Sequence, residues 1–167
     1  MEPRVIPTER DDLLLRETTE SDVPALVTFF TRNQEHFGWK GEAPSPKIVR
    51  KAFVAIEGLL QLGLWHGGEI IGHLSLSFLP EQYFGEIGYL LDKEHTGNGY
   101  ATMSLRALVR HAFSGTDFRA LSANVWEENP RSWKVLERVG FKLIESPEDV
   151  RNYRLEANDW FAMSRPM

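Results

Sequence analysis

Between Leu62 and Leu91 the chain carries three apolar runs with a two-residue period, and this stretch limits the fold more than any other. Leu62 to His66, a Gly67-Gly68 turn and Glu69 to Phe78 predict a hairpin, since paired glycines supply the positive φ of a tight turn. Tyr83 to Leu91 predicts a third strand, set off by Pro80 and Gln82. Leu74, Leu76 and Phe78 alternate with His73, Ser75 and Ser77; Ile87, Tyr89 and Leu91 alternate with Glu86, Gly88 and Leu90. If the apolar sets share one face, parity puts Glu86 with His73, Ser75 and Ser77 on the other. A sheet edge turned to water would show the same alternation, so motifs must decide.

The flanking sequence surrounds these strands with helices. Leu13 to Arg16 is a short apolar run ending at Thr18-Thr19-Glu20-Ser21-Asp22, a cluster of helix-capping residues. Val23, Leu26, Val27 and Phe30 then recur at helical spacing, and this helix fades near Asn33. Ser45-Pro46 is a second helix start, with Val49, Phe53, Ile56 and Leu60 as its buried face. A third helix is predicted from Gly99 to about Phe113, with Ala101, Leu105, Leu108 and Ala112 inward. Ala120 to Val125 reads as a strand, Pro130 to Val139 as a helix, Gly140-Phe141 to Ile144 as a strand, and Val150 to Leu155 as the last strand. The expected fold is a mixed sheet with helices on its faces, an α/β or α+β layered domain. At 167 residues it forms one domain, residues 1–167, large enough to bury roughly 70% of its unfolded surface.

Composition removes several chemistries. With no cysteine, disulfides, thiolate metal sites and a cysteine nucleophile are excluded. A net charge of −5 argues against nucleic acid as a partner and suits a cationic one. No stretch is long and apolar enough for a membrane span, and the polar N-terminus, interrupted by Pro3 and Pro7, does not read as a signal peptide. The expectation is a cytoplasmic domain. No pair of histidines has metal-ligand spacing on one helix face, so no metal is expected; His36, His66 and His111 read as solvated.

Two motifs remain. Gly97-Asn98-Gly99-Tyr100-Ala101-Thr102 closes a loop after a strand and opens a helix, where free N–H groups can hold a pyrophosphate. With 13 glycines, about one Gly-x-Gly is expected by chance, so its position carries the signal. A Walker-type loop would need a lysine and a dinucleotide loop a third glycine, and both are missing here. Asn129-Pro130-Arg131-Ser132 opens the next helix, and Gly140 closes it. Asn129 there can serve as a cap alone.

Gly85-Glu-Ile-Gly-Tyr-Leu-Leu91, Thr96-Gly-Asn-Gly-Tyr-Ala-Thr102, Asn129-Pro-Arg-Ser132 and Arg138-Val-Gly-Phe141 together resemble the GNAT superfamily of N-acetyltransferases. The likeness is greatest to its Rim-type branch of ribosomal-protein N-terminal acetyltransferases, and Leu13-Leu-Leu-Arg16 with Ser21-Asp22 resembles that branch's opening. The resemblance runs from about Leu13 to Phe161. It implies a mostly antiparallel sheet that splays at the cofactor site, and acetyl-CoA as co-substrate. Main-chain groups of Leu90 and Leu91 would hold the pantetheine arm. Amides of His95, Thr96, Gly97, Asn98, Gly99, Tyr100 and Ala101 would hold the pyrophosphate, and Asn129 and Ser132 would face the pantetheine and its thiol end. A homodimer is common in the family.

Two positions depart from the family pattern. Glu94 replaces the usual Gln or Arg of the phosphate loop, and Leu136 replaces a tyrosine acid. The loss of that acid is tolerable, because expelling a thiolate with pKa about 8.5 near pH 7 costs only ~2 kcal/mol. An amine arrives protonated and needs a base. Glu86, acting through water, is assigned that role, with Glu81 and Glu128 in reserve; a carboxylate paired to nothing would look the same. Trp126, beside Glu127 and Glu128, is the first substrate-contact candidate, followed by Phe37 and Trp39 in the loop between the first two helices. Glu86, Glu127 and Glu128 are expected to surround the amine. An acyl-CoA sensor of the same fold, without turnover, is the alternative.

Overall fold

The computed structural model describes residues 2–79 and 83–164 of the chain. Glu81, together with Pro80 and Gln82, lies outside them. The strands are β1 (Val5–Pro7), β2 (Leu13–Glu17), β3 (Leu59–His66), β4 (Glu69–Leu79), β5 (Phe84–Leu91), β6 (Ala120–Trp126), β7 (Lys142–Glu145) and β8 (Val150–Glu156). The helices are α1 (Val23–Arg32), α2 (Pro46–Phe53), α3 (Tyr100–Gly115), α4 (Pro130–Val139) and α5 (Ala157–Met163). The strands form one sheet in the order β1-β2-β3-β4-β5-β6-β8-β7, antiparallel throughout except for the β5–β6 pair.

Local chemistry sets the element ends. Ser45 caps α2 by accepting from the Ile48 amide, and Pro46 stands at the first position. Asn129 caps α4 through the Ser132 amide, and Gly140 ends that helix at φ 112°. Asp22 precedes α1 but turns its carboxylate back to the Thr19 amide (2.8 Å) and to Arg16 (2.8 Å). Helix α2 stops at Phe53, so Ile56 and Leu60 do not extend its buried face; Leu60 belongs to β3. Strand β1 and helix α5 were not expected. Three residues ending in proline carry little periodicity, and β1 gains its place by pairing Ile6 with Leu15 at the sheet edge.

Two apolar layers cover the sheet. On one face Leu105, Leu108 and Ala112 of α3 and Leu136 of α4 pack on Leu62, Leu74, Leu76, Ile87 and Ala123. On the other, Leu26, Phe29 and Phe30 of α1 and Val49 of α2 pack on Ile70, with Leu90 and Trp65 beside them. A slip between Leu64 and Trp65 reverses the parity of β4 at its start, so that Ile70 joins Trp65 on the α1–α2 face while Ile71 joins Leu74 on the other. Register bears out the parity argument: Leu74 faces Tyr89 and Leu76 faces Ile87, while Ser77 faces Glu86, Ser75 faces Gly88 and His73 faces Leu90.

Candidate active site

The site begins where the parallel pair fails. Strands β5 and β6 are paired only over Phe84–Ala120, Gly85–Leu121 and Glu86–Ser122. Beyond Glu86, β5 stays on β4 as far as Leu91, while β6 stays on β8 as far as Trp126. The edge of β5 from Ile87 to Leu91 therefore has no strand partner toward β6, and its main-chain groups are available to something inserted there. Leu90 packs against one apolar layer and Leu91 against the other.

At the open end of this gap the chain turns through Asp92 to Gly99 into α3. Gly97 and Gly99 lie at φ +82° and +77°, so glycine is required there by conformation as well as by access. A Cβ on Gly97 would meet nothing within 4 Å, which leaves this loop surface open. Gly99 occupies the cap position of α3 without a side-chain cap, and no acidic residue stands in the first turn. The amides of Tyr100 and Ala101 have no intrahelical acceptor and carry the positive end of the helix dipole. Asn98 braces the loop by donating to the carbonyls of His95 (3.4 Å) and Thr96 (3.3 Å). The Tyr100 ring turns inward against His66 (5.2 Å), so the backbone of that residue faces the loop surface and its side chain does not. His66 also contacts Asp12 (3.2 Å) and is not simply solvated.

The loop is anchored from the opposite layer. Asp92, buried, pairs with Arg32 (2.5 Å), and Asn33, buried, accepts from the Lys93 amide (3.0 Å) while donating to the Phe29 carbonyl (3.0 Å). The C-terminus of α1, which leads into the Phe37–Trp39 loop, is thereby fixed to the start of the glycine loop.

Glu86 sits on the last paired rung, at the apex of the gap. It is exposed on the α1–α2 side of the sheet and accepts from Asn124 Nδ2 (3.3 Å). Asn124 and Trp126 alternate on β6 and are exposed on that same face. Phe37 and Trp39 pack beside Phe30 and Phe53, half-buried, with the Trp39 indole donating to the Glu42 carbonyl (2.9 Å). Glu128 is exposed. Glu127 does not join this group: Arg151 holds both its oxygens (2.6 and 2.7 Å), and this fork keeps its pKa below the ordinary carboxylate value. His73 shares the face of Glu86 but is buried among Phe30 and Phe53, and burial holds its imidazole at about 3. Taking a proton from an α-ammonium would cost it roughly 7 kcal/mol, which removes it as a base.

On the other face of the sheet, Ser132 stands in the first turn of α4. Its Oγ donates to Tyr89 Oη (2.7 Å), and the Tyr89 hydroxyl donates to the Ser132 carbonyl (2.6 Å). Tyr89 thus links β5 to α4 across the gap. Parity along β5 assigned it to the apolar set; that a buried tyrosine hydroxyl requires a partner was the available signal for a polar role. Leu136, at the position of the missing tyrosine, is fully buried in the core. Among the described residues no group of three or more His, Asp or Glu could hold a metal ion, and no helix is long and apolar enough to cross a membrane.

A parallel pair that parts beside a glycine loop with free helical amides suits a long anionic ligand, as an acyl-coenzyme A-dependent transferase requires. Comparison with known proteins makes the assignment specific. The family described as the acetyltransferase (GNAT) domain matches residues 12–142, and the chain belongs to it. It is similar to the ribosomal-protein-serine acetyltransferase of Escherichia coli K12, with 28% identity over 144 residues and 80% of each chain covered. Among solved structures it resembles a ribosomal L7/L12 alpha-N-protein acetyltransferase, RimL, in complex with coenzyme A (TM-score 0.79, 24% identity, 92% of this chain and 98% of that one). It also resembles Mycobacterium smegmatis RimJ (TM-score 0.76, 20% identity, 99% and 98% covered). The chain is an acetyltransferase of the GNAT type.

Proposed function

We propose that this enzyme transfers the acetyl group of acetyl-CoA directly to the α-amine of a polypeptide N-terminus, with Glu86 as the base. The observation that carries the reading is the placement of Glu86 and Ser132 on opposite faces of one gap. An amine approaching from the Glu86 face attacks the thioester carbon, so that an N–C bond forms as the C–S bond breaks. The ammonium gives one proton through water to Glu86 before it attacks, the nitrogen gives a second to solvent as the amide forms, and the sulfur keeps the electron pair and takes a proton from solvent. An unpaired β5 amide is suited to hold the oxyanion, and the Ser132 hydroxyl serves the thiol end. Leu90 and Leu91 main-chain groups bind the pantetheine arm, and amides from His95 to Ala101 bind the pyrophosphate. Phe37, Trp39, Trp126 and Glu128 border the acceptor.

The choice of an α-amine follows from acidity. An α-ammonium with pKa near 7.8 is neutral at pH 7 several hundred times more often than a lysine-like ammonium near 10.4. An exposed carboxylate working through water suits the easier task. The names of the E. coli and RimL relatives, which act on ribosomal proteins, favour the same acceptor class and a cytoplasmic location. The test is a thiol-release screen with acetyl-CoA against N-terminal peptides, polyamines, aminoglycosides and free amino acids, run beside Glu86→Gln. Turnover restricted to peptides, lost about 100-fold in the variant and partly recovered at high pH, is expected. Equal rates for variant and wild type remove Glu86 from the mechanism, and no turnover with any amine favours an acyl-CoA sensor.

A further inference from the structure

The Tyr89–Ser132 pair is built more tightly than a capping turn needs. Tyr89 has one hydroxyl proton, and it is committed to the Ser132 carbonyl at 2.6 Å. The Ser132 proton must therefore point to Tyr89 Oη at 2.7 Å, which fixes the serine rotamer and leaves the other side of Oγ free. Ser132 is half-buried beside the gap, and the Asn129 cap holds its amide at 3.2 Å, so backbone and side chain are both tied.

We infer that Tyr89 is a positioning residue for the leaving thiolate: it holds the Ser132 hydroxyl ready beside the gap and releases its proton toward sulfur as charge develops there. The inference rests on the acetyl-CoA reading above. A hydrogen bond between two neutral hydroxyls is roughly half as strong as one to an anion. With a neutral thioester the Ser132 proton stays on Tyr89; once the C–S bond breaks and the electron pair moves to sulfur, the Ser132 proton swings to it and the Tyr89 hydroxyl turns from the carbonyl to Oγ, so the 2.7 Å contact persists with its direction reversed. The interaction is thus made in the transition state and not in the ground state, the condition for raising kcat rather than lowering KM. Tyr89 is not itself the proton source. Burial pushes its phenol up to about 12, partly opposed by the Ser132 bond and aided by nearby Tyr153. Proton loss to a thiolate of pKa about 8.5 would run uphill by roughly three pK units. The thiolate takes its proton from solvent after release.

The test reads the thiol pKa of bound coenzyme A from the ultraviolet absorbance of the thiolate, in wild type, Tyr89→Phe, Ser132→Ala and the double variant, with steady-state kinetics beside it. Wild type should hold the bound thiol below its free value. Ser132→Ala should return it to the free value, and Tyr89→Phe should return it part of the way. Each single variant should lower kcat roughly five- to tenfold with little change in KM for acetyl-CoA, and the double variant should match Ser132→Ala. A Tyr89→Phe enzyme with wild-type thiol pKa and kcat overturns the inference, and so do losses that multiply in the double variant. If Tyr89→Phe does not fold, the Tyr89 hydroxyl proton in wild type gives a second reading by NMR. Its resonance should move as the thiol of bound coenzyme A ionises, and a resonance indifferent to that ionisation overturns the inference. Failure of wild type to bind coenzyme A in calorimetry refutes the acetyl-CoA reading; binding with an unperturbed thiol refutes only the role of Tyr89.

Discussion

His73 gives the fold a measurable sensitivity to mild acid. Its imidazole is buried under α1 and α2, with the Phe53 ring at 5.0 Å, the Phe30 ring at 6.1 Å, and Gly63 and Leu90 alongside on the neighbouring strands. Its Nε2 has no hydrogen-bond partner. Burial lowers its pKa to about 3, against an ordinary value of 6.5 in the unfolded chain. The unfolded state therefore binds the proton that the folded state refuses, and stability falls as pH drops from about 6.5 toward 3. At 1.36 kcal/mol per unit, the loss between pH 7 and 4.5 is roughly 2–3 kcal/mol.

Urea unfolding at both pH values measures it, as a midpoint lower by about 1–2 M at the acid end. His73→Phe keeps an aromatic filling and removes the titration, so its midpoint should fall by much less over the same interval. Asp12 and Asp22 hold lowered pKa values and lose their contributions mainly below pH 4, outside the window. Asp12 owes its value first to Arg10; at Asp22 burial opposes the shift, and the bonds from Arg16 and Thr19 overcome it. His111, lowered by burial and then by Arg4, adds loss of the same sign, and comparison with the variant subtracts it. A His73→Phe protein that loses as much stability as wild type between pH 7 and 4.5 would refute the reasoning.

Asn33→Ala strips the acceptor of the Lys93 amide and the donor to the Phe29 carbonyl at a fully buried site. It should cost about 2–3 kcal/mol in denaturant unfolding and raise KM for acetyl-CoA, because the glycine loop loses its anchor; a loss below about 0.5 kcal/mol would show the anchor to be dispensable. Gly99→Ala forces a side chain into φ +77° at the cap of α3. A cost of about 1 kcal/mol in stability is expected, with a several-fold rise in KM for acetyl-CoA and little change in KM for the amine; calorimetry with coenzyme A alone gives the same reading without turnover, and unchanged affinity would take the loop out of the cofactor site.

What was legible in the sequence was whatever local pattern controls. Alternation along residues 62–91 set the hairpin and placed Glu86 opposite Ser77, because a strand has only two faces and the apolar set chooses between them. Ser45-Pro46 and Asn129-Pro130 marked two helix starts, since a cap and a fixed φ act within one turn. What escaped depends on partners distant in sequence. Strand β1 exists only by pairing with β2. Glu127 reads as a free acid beside Glu128 until Arg151, 24 residues away, is seen to occupy it. Tyr89 reads as one more apolar residue until Ser132, 43 residues on, supplies both of its hydrogen bonds. His66 likewise reads as solvated until Asp12 and Tyr100 are placed beside it.

The acid surplus on this chain consequently has a narrower meaning than its net charge suggests. With Glu127 committed to Arg151, the exposed carboxylate on the last rung of the β5–β6 pair is Glu86. Glu86 and Tyr89 stand three positions apart on one strand, an odd offset, so the two must face opposite ways. On the proposed mechanism, that parity gives the amine and the departing sulfur separate sides of the sheet, the acceptor being deprotonated where the face is open to water and the thiolate met where α4 closes over it. The arrangement depends on register, and cross-strand pairs Leu76–Ile87 and Leu74–Tyr89 fix it. A slip of one residue in β5 would bury Glu86 under α3 and α4 and turn Tyr89 out toward the acceptor, reversing both halves of the chemistry at once. The apolar alternation that secures the core would therefore also orient the proposed reaction.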